Sequence, residues 1–376
     1  VIKLAEKAYK YRIYPNKEQE IQLAKIFGSC RFVYNYYLSK RIELYELDKQ
    51  TMNYNACSVD LTILKKELVW LKEIDKFALQ NSLKDLDRAY QNFFREIKKG
   101  NNEQGFPKFK SKHDHEYSYK TTFTNNNIEI RGNKIKLPKL GLVKFANSQD
   151  VQGRILNCTI SKTYSGKYFV SVCCTDIYIE RLPQNSNSIG IDLGLKEFAI
   201  TSDGEIIDNP KYLSKLENKL KKEQRRLSNK KKGSKNYNKQ RIKLNRVHEK
   251  IANQRTDFLQ KLSTRFISEN QIICLETLKV KNMVQNHKLA KSINDVSWSN
   301  FVRMLQYKAD WNDRLIQQID TYYPSSQLCN VCGYQNSETK DLSVREWICT
   351  ECNTKHNRDI NAAINILNEG LRLLVS

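Results

Sequence analysis

The chain opens on alternation. Residues 7–14, Lys-Ala-Tyr-Lys-Tyr-Arg-Ile-Tyr, set Tyr9, Tyr11 and Ile13 against Lys10 and Arg12, which predicts a strand ended by Pro15. Asn16 follows with Gln19 three residues on, the spacing of a capping box. Ile21, Leu23, Ala24, Ile26 and Phe27 then recur with a helical period, which resumes after Gly28 at Phe32, Val33, Tyr36, Tyr37 and Leu38. Further helices are predicted over 60–72 and 76–98. In the second, Leu79, Leu83, Leu86, Ala89, Tyr90, Phe93 and Phe94 form one stripe, the mark of a buried face. At residue 105 the texture changes to short strands: 121–123, 128–130, 134–137 and 142–145, then a hairpin of 153–163 and 167–175 across Ser165-Gly166. These resemble a small β-barrel that the first strand joins and the helices interrupt.

Residues 183–188 read as a linker. Three strands follow at 189–195, 198–201 and 205–207, the last two joined by the hairpin signal Asp203-Gly204. Two long helices are expected within 211–250 on either side of Gly233, and another over 258–270. A buried strand, 271–276, ends in Glu276; a helix at 297–312 and a strand at 315–323 come next. The last helix is predicted over 359–369, ended by Gly370. This is a multidomain α+β pattern. No apolar run approaches the roughly 20 residues that span a bilayer, and the first ten residues lack a signal-peptide core, so no membrane partner is expected.

Charge narrows the class. The 376 residues hold 64 Lys and Arg against 41 Asp and Glu, a formal net charge of +23. The usual partner of so basic a chain is nucleic acid; a ribosomal or basic housekeeping protein is the plainer alternative. Residues 211–250 carry 16 Lys or Arg against three Glu, more than half of the excess. This stretch, with Lys221, Lys222, Arg225 and Arg226, is either a nucleic-acid groove or a solvated face.

Ten cysteines are present. Cys30, Cys57, Cys158, Cys173, Cys174 and Cys274 lie in apolar surroundings and read as buried thiols in a reducing compartment. The other four are paired: Cys329-x2-Cys332 and Cys349-x2-Cys352. Two such knuckles supply the four thiolates of one closed, structural zinc site, and Gly333 suits a tight knuckle turn. Two disulfides are the alternative. His356 lies close by, but four sulfurs leave it no place as a ligand.

Three carboxylates complete the pattern. Asp192 lies in the first strand of the three-stranded group, Glu276 ends a buried strand, and Asp359 begins the last helix. Alone, each has a bland reading as a strand-end acid, a solvated Glu or a helix-start acid favoured by the dipole. Together, the order of three antiparallel strands, helix, fourth strand with an acid and final helix with an acid is that of an RNase H-like nuclease. Such a site gathers carboxylates around two magnesium ions.

The chain resembles the TnpB family, transposon-encoded RNA-guided DNA endonucleases related to type V CRISPR effectors. The motifs run nearly the whole length: Tyr11-Arg-Ile-Tyr-Pro15, Gly28-Ser-Cys-Arg31-Phe-Val-Tyr34-Asn35, Leu83-Lys-Asp-Leu-Asp87-Arg-Ala89 and Gly105-Phe-Pro-Lys-Phe-Lys110. Gly190-Ile-Asp192-Leu-Gly194, Leu275-Glu276, Tyr307-Lys308-Ala309, Cys329-x2-Cys332-Gly333 and Arg358-Asp359-x-Asn361-Ala-Ala363 follow. Asn353 stands where the family often has Gly, and Asn357 where Asp is frequent.

The resemblance implies a RuvC/RNase H-like α/β nuclease domain with Asp192, Glu276 and Asp359 as its magnesium-binding triad and an inserted zinc ribbon. It also implies a β-barrel wedge domain with an inserted helical lobe. The expected division is 1–45 (wedge strand and first helices), 46–104 (helical recognition lobe), 105–183 (wedge barrel), 184–324 (nuclease, with the basic insertion 211–250), 325–355 (ribbon) and 356–376 (final helix). Guide RNA from the transposon end and target DNA are the implied partners, in a prokaryotic cytoplasm, for a monomer or a weak dimer.

Lys76 and Gln80, one helical turn apart, are candidate readers of a flanking motif, since Lys can contact guanine and Gln adenine in a major groove. Ordinary exposed polar residues are the alternative. Tyr9 and Arg12, with Lys10, Tyr11 and Tyr14 on the first strand, are candidate nucleic-acid contacts that would combine stacking with phosphate binding; plain packing within the barrel is the alternative for part of this set. A non-cutting guided repressor or transposition accessory, or an unguided resolvase, would use the same basic surfaces.

Overall fold

The alternating start forms strand β1 (Ile2–Tyr14), longer than predicted because the pattern extends backwards. The computed structural model describes residues 2–100, 105–114, 117–341 and 343–375. Helix α1 (Lys17–Asp48) starts at the expected capping box: Asn16 Oδ1 accepts from Gln19 N at 2.8 Å and Gln19 Oε1 from Asn16 N at 3.0 Å. A cap of this kind contributes about 1 kcal/mol. The helix runs unbroken through Gly28 and past residue 45, so the expected boundary there falls within its last turn. Helix α2 (Tyr54–Glu67) begins earlier than predicted because Asn53 caps it, accepting from Ala56 N at 3.0 Å. A 3-10 turn, Val69–Glu73, leads to α3 (Lys76–Lys98), capped by Asp75. The apolar stripe of α3 is buried at Leu79, Leu83, Leu86 and Tyr90, while Phe94 is left exposed.

Strands β2 (Tyr117–Thr122), β3 (Glu129–Arg131), β4 (Lys134–Leu137), β5 (Gly141–Phe145), β6 (Arg154–Lys162) and β7 (Tyr168–Glu180) follow. With β1 they make one sheet in the order β2-β6-β7-β1-β5-β4-β3. The first strand thus joins the later ones, as its alternation suggested. The order has two ends, β2 and β3, and closure into a barrel is not among the pairings of the described residues. The β6–β7 hairpin turns where expected, with Gly166 at φ +83°. The chain divides into two compact units: Leu4–Tyr178 is one, and the chain from Ile179 onward lies in the other.

In the second unit, β8 (Ser188–Leu193), β9 (Glu197–Thr201) and β10 (Ile206–Asp208) are antiparallel neighbours. Helices α4 (Tyr212–Ser228) and α5 (Lys235–Glu269) come next, then β11 (Ile272–Glu276). Two short helices, α6 (Val280–Met283) and α7 (Ala290–Val296), precede α8 (Trp298–Asn312) and β12 (Leu315–Ile319). The sheet order is β10-β9-β8-β11-β12, with β11 parallel to both β8 and β12. One expectation is corrected: the second basic helix and the 258–270 helix are a single 35-residue α5, because no Gly or Pro interrupts the chain between them. On the core side, Phe198 meets Phe258 and Phe301 edge to face at 5.1 and 5.2 Å.

Where α5 packs on α8, Lys308 is buried, and its hydrogen-bond partners among the described residues are neutral. Its Nζ donates to the Gln260 carbonyl (2.8 Å), Ser263 Oγ (2.7 Å) and Thr264 Oγ1 (2.7 Å), and burial pulls its ammonium down to about 8. The unfolded chain therefore binds this proton more tightly, and Lys308 adds stability as pH rises from about 8 toward the ordinary lysine value of about 10.4. Lys308→Met is expected to flatten that rise in a melting series over this window and, with three acceptors stranded, to cost about 1–3 kcal/mol. An unchanged pH profile would contradict this.

The chain ends with β13 (Glu346–Ile348) and β14 (Lys355–Asn357), an antiparallel pair, and α9 (Arg358–Val375). Gly370 does not end α9. It lies inside the helix, where a Cβ would stand 2.3 Å from Cys274 Sγ, so its role is close approach to the sheet.

Candidate active site and metal centre

Asp192 and Glu276 come together through strand register. Ile191 pairs with Leu275 across the parallel β8 and β11, which makes the next residues, Asp192 and Glu276, neighbours on one face. Helix α9 covers that face. A Cβ on Gly190 would lie 2.1 Å from the Ala363 carbonyl oxygen, so only glycine admits the helix at this depth. The first turn of α9 carries Asp359 towards Asp192. Burial, with Glu276 and Asp359 nearby, pushes the Asp192 carboxyl up to about 8, partly offset by Arg358. Burial also raises Glu276, against a hydrogen bond from Ser325 Oγ to its Oε1 at 2.5 Å. Asp359 is held by Arg345 at 3.0 Å, a residue of the cysteine segment. Asn357 caps α9, its Oδ1 accepting from Asp359 N and Ile360 N at 3.1 Å, which a carboxylate here would also do.

The four paired cysteines converge. Among the described residues they form the one group of three or more His, Cys, Asp or Glu whose ligand atoms all lie within 4.8 Å of one another. Cys329 and Cys352 Sγ are 3.6 Å apart, Cys332 and Cys349 3.5 Å, close to the roughly 3.8 Å edge of a tetrahedron with 2.3 Å zinc–sulfur bonds. The two knuckles repeat one geometry: Gly333 N donates to Cys329 O, and Asn353 N to Cys349 O, both at 2.9 Å. Gly333 has φ +79° and Asn353 φ +55°, so Asn353 occupies a left-handed position that Gly or Asn tolerates. Hydrogen bonds from Thr354 hold the Cys352 thiol down, to about 6, favouring the thiolate that a metal needs. The cluster fits structural zinc. His356 is outside the group; its Nε2 lies 3.1 Å from Cys329 Sγ and its ring is against Trp347.

The nucleic-acid candidates divide. In the basic stretch, Leu220, Leu244, Val247 and Ile251 pack α4 on α5, and the buried Glu223 accepts from Gln240 Nε2 at 2.6 Å. Lys221, Lys222, Arg225 and Arg226 stay exposed. Lys221 pairs with Glu217 at 2.8 Å and Arg226 with Glu223 at 3.1 Å. Lys76 is exposed and Gln80 half-buried on the first turns of α3. Tyr9 is 2% exposed and offers no ring face to a ligand in this structure, because its side of β1 faces the core; Arg12 is half-buried over Tyr14. Ser325, Arg345 and Asn365 join the site through contacts that local sequence does not announce. Only Asn365 left a trace, as a polar residue one turn after Asn361 on an otherwise apolar face.

Three family descriptions match the chain: "probable transposase" (OrfB of IS605) at residues 169–287, "Cas12f1-like, TNB domain" at 298–366, and "helix-turn-helix domain" at 5–50. The last span is a strand and one continuous helix here. A Streptomyces pristinaespiralis protein named "Putative RNA-guided DNA endonuclease" is 37% identical over 97% of this chain and 90% of its own length. Escherichia coli InsQ, of the same description, is 32% identical over 98% and 93%. The fold is similar to that of Cas12f1 in a complex with sgRNA and target DNA, with a TM-score of 0.55 at 14% identity, over 97% of this chain and 99% of the other.

Proposed function

Because the chain belongs to the TnpB family, the IS605 OrfB proteins, we propose that it is a transposon-encoded RNA-guided DNA endonuclease that cuts beside a short flanking motif. The observation that carries this reading is the half-buried Asp192 carboxyl with Glu276 and Asp359 beside it. Asp192, driven towards protonation by burial and by the nearby Glu276 and Asp359, and Glu276, raised by burial, need cations to ionise together. Their donor set, hard carboxylate oxygen, fits magnesium. Magnesium bound there supplies a readied water and stabilises the leaving oxygen. Of the protein's own groups, Asp192 and Glu276 would bind from the sheet and Asp359 from the helix, while Ser325 orients Glu276 and Arg345 orients Asp359.

The order β10-β9-β8-β11-β12 supports a RuvC-like domain, and the seven-stranded sheet with α1–α3 inserted between β1 and β2 supports a wedge with a helical lobe. The cysteines would hold zinc as a structural ion. Base pairing with the guide would read long sequence, leaving the protein to read shape and the flanking motif, for which Lys76 and Gln80 are our candidates. Sequencing RNA that co-purifies with the protein, and testing guided cleavage with magnesium, checks the reading. A matched guide that gives binding without cutting would favour a repressor. Cutting that survives ribonuclease would favour an unguided resolvase.

The basic hairpin of α4 and α5 is proposed as a phosphate-binding surface. Replacing Lys221, Lys222, Arg225 and Arg226 with Ala is expected to reduce the slope of log affinity against log salt for guide RNA by about 3. Filter binding across a salt series measures this; an unchanged slope places the RNA elsewhere.

A further inference from the structure

We propose that Asn361 and Asn365 are positioning residues, a clasp on the entry to the cysteine segment through which the state of the zinc site sets the orientation of Glu276. The proposal rests on the nuclease reading above.

The two side chains lie one turn apart on α9 and are buried, at 2% and 4% exposure. Both Nδ2 groups donate to the Leu328 carbonyl at 2.7 Å. Asn365 Nδ2 also donates to the Ser325 carbonyl at 2.8 Å, and Asn361 Oδ1 accepts from Asn330 N at 3.0 Å. These backbone groups bracket Cys329. At the other end of the same segment, Ser325 Oγ donates to Glu276 Oε1. Residues 325–330 therefore run from a zinc ligand to a carboxylate of the proposed active site, pinned to the helix that carries Asp359.

Apolar packing alone would let this irregular segment slide on α9. Two buried amides matched to three backbone groups admit one register, because any slip strands polar atoms away from water. A knuckle that loses its metal loses its fold. Leu328 and Asn330 would then leave the clasp, and Ser325 would no longer be held against Glu276. A ligand deprived of its orienting hydrogen bond binds metal more weakly, typically by 10–100-fold.

The test uses the full chain loaded with guide RNA and compares wild type, Ser325→Ala and Asn361→Ala/Asn365→Ala, each with zinc present and after chelation. Two readouts are taken: the magnesium midpoint of cleavage, and the magnesium-dependent rise in melting temperature, which needs no cleavage. Ser325→Ala is expected to retain zinc like wild type and to raise both midpoints by about 10-fold. The double variant should do the same and also release zinc to a chelator about 10-fold faster. Stripping zinc from wild type should raise the magnesium midpoint as Ser325→Ala does, and stripping Ser325→Ala should add less than 2-fold. A wild-type magnesium midpoint in zinc-stripped protein, or effects of stripping and Ser325→Ala that multiply, would overturn the clasp. Failure of wild type to cut guided DNA would instead sink the nuclease reading, and the melting readout would still decide the clasp.

Discussion

Replacing Asp192 with Asn is expected to abolish guided cleavage and to stabilise the metal-free protein. Both effects come from one carboxyl. Burial beside Glu276 and Asp359 raises it to about 8, against about 3.9 in an unfolded chain. The metal-free fold therefore holds a proton here at neutral pH that the unfolded chain has lost. Its stability contribution is complete below about pH 4 and is lost as pH rises towards and through 8. Asparagine imitates the neutral form at every pH. The variant should melt higher than wild type near pH 8 without magnesium, by on the order of 2 kcal/mol, with the gap closing towards pH 4. Magnesium should raise the melting temperature of wild type and leave the variant nearly unmoved. Cleavage should fall at least 1000-fold, equivalent to about 4 kcal/mol of lost transition-state stabilisation. Normal cutting by the variant, or parallel melting curves across this range, would remove Asp192 from the site.

Gly190→Ala should be nearly as damaging, with no chemical group removed. The added methyl would sit 2.1 Å from the Ala363 carbonyl oxygen and 2.8 Å from Leu367 Cβ. Backbone cannot rotate away as a flexible side chain can, so α9 must lift from β8. Overpacking of this kind costs about 1–3 kcal/mol, and the shift separates Asp359 on the helix from Asp192 two residues along the strand. A displacement near 1 Å in a catalytic arrangement costs about 100-fold in rate. Gly28→Ala is the contrast. Nothing lies within 4 Å of the methyl it would add in α1, and better helix propensity should stabilise the fold by about 0.5–1 kcal/mol. Melting and cleavage measured on both variants would test the contrast; a Gly190→Ala protein with normal activity would show that α9 does not set the site.

Local pattern carried much of the architecture. The capping box at Asn16, the hairpin across Ser165-Gly166 and the end of β11 at Glu276 all depend on residues within a few positions of each other. The four cysteines were legible for the same reason, since a knuckle is a local turn and its spacing states the ligand geometry. Where a local signal is ambiguous, the structure departs from it. Gly370 resembled a helix terminator because glycine often follows a helix, yet here it serves packing, and the neighbour that requires it, Cys274, is distant in sequence. Alternation leaves open whether Tyr9 stacks on a ligand or packs within the sheet, and the fold decides it by burying the ring.

The order of strands, helices and acids, the charge concentrated between residues 211 and 250, and the zinc-type spacing belong to the amino-acid order, because each depends on near neighbours or on composition. The meeting of Asp192 with Glu276 depends on parallel register between strands far apart in the chain, and that of Asp359 with them on the depth at which α9 sits over Gly190. The same is true of the hydrogen bonds through which Ser325, Asn361 and Asn365 join the cysteine segment to the carboxylates. Serine and asparagine are common on surfaces and carry no mark of a partner. Burial makes those bonds consequential, because a polar group shut away from water must find its partner within the protein, and long-range packing selects which one.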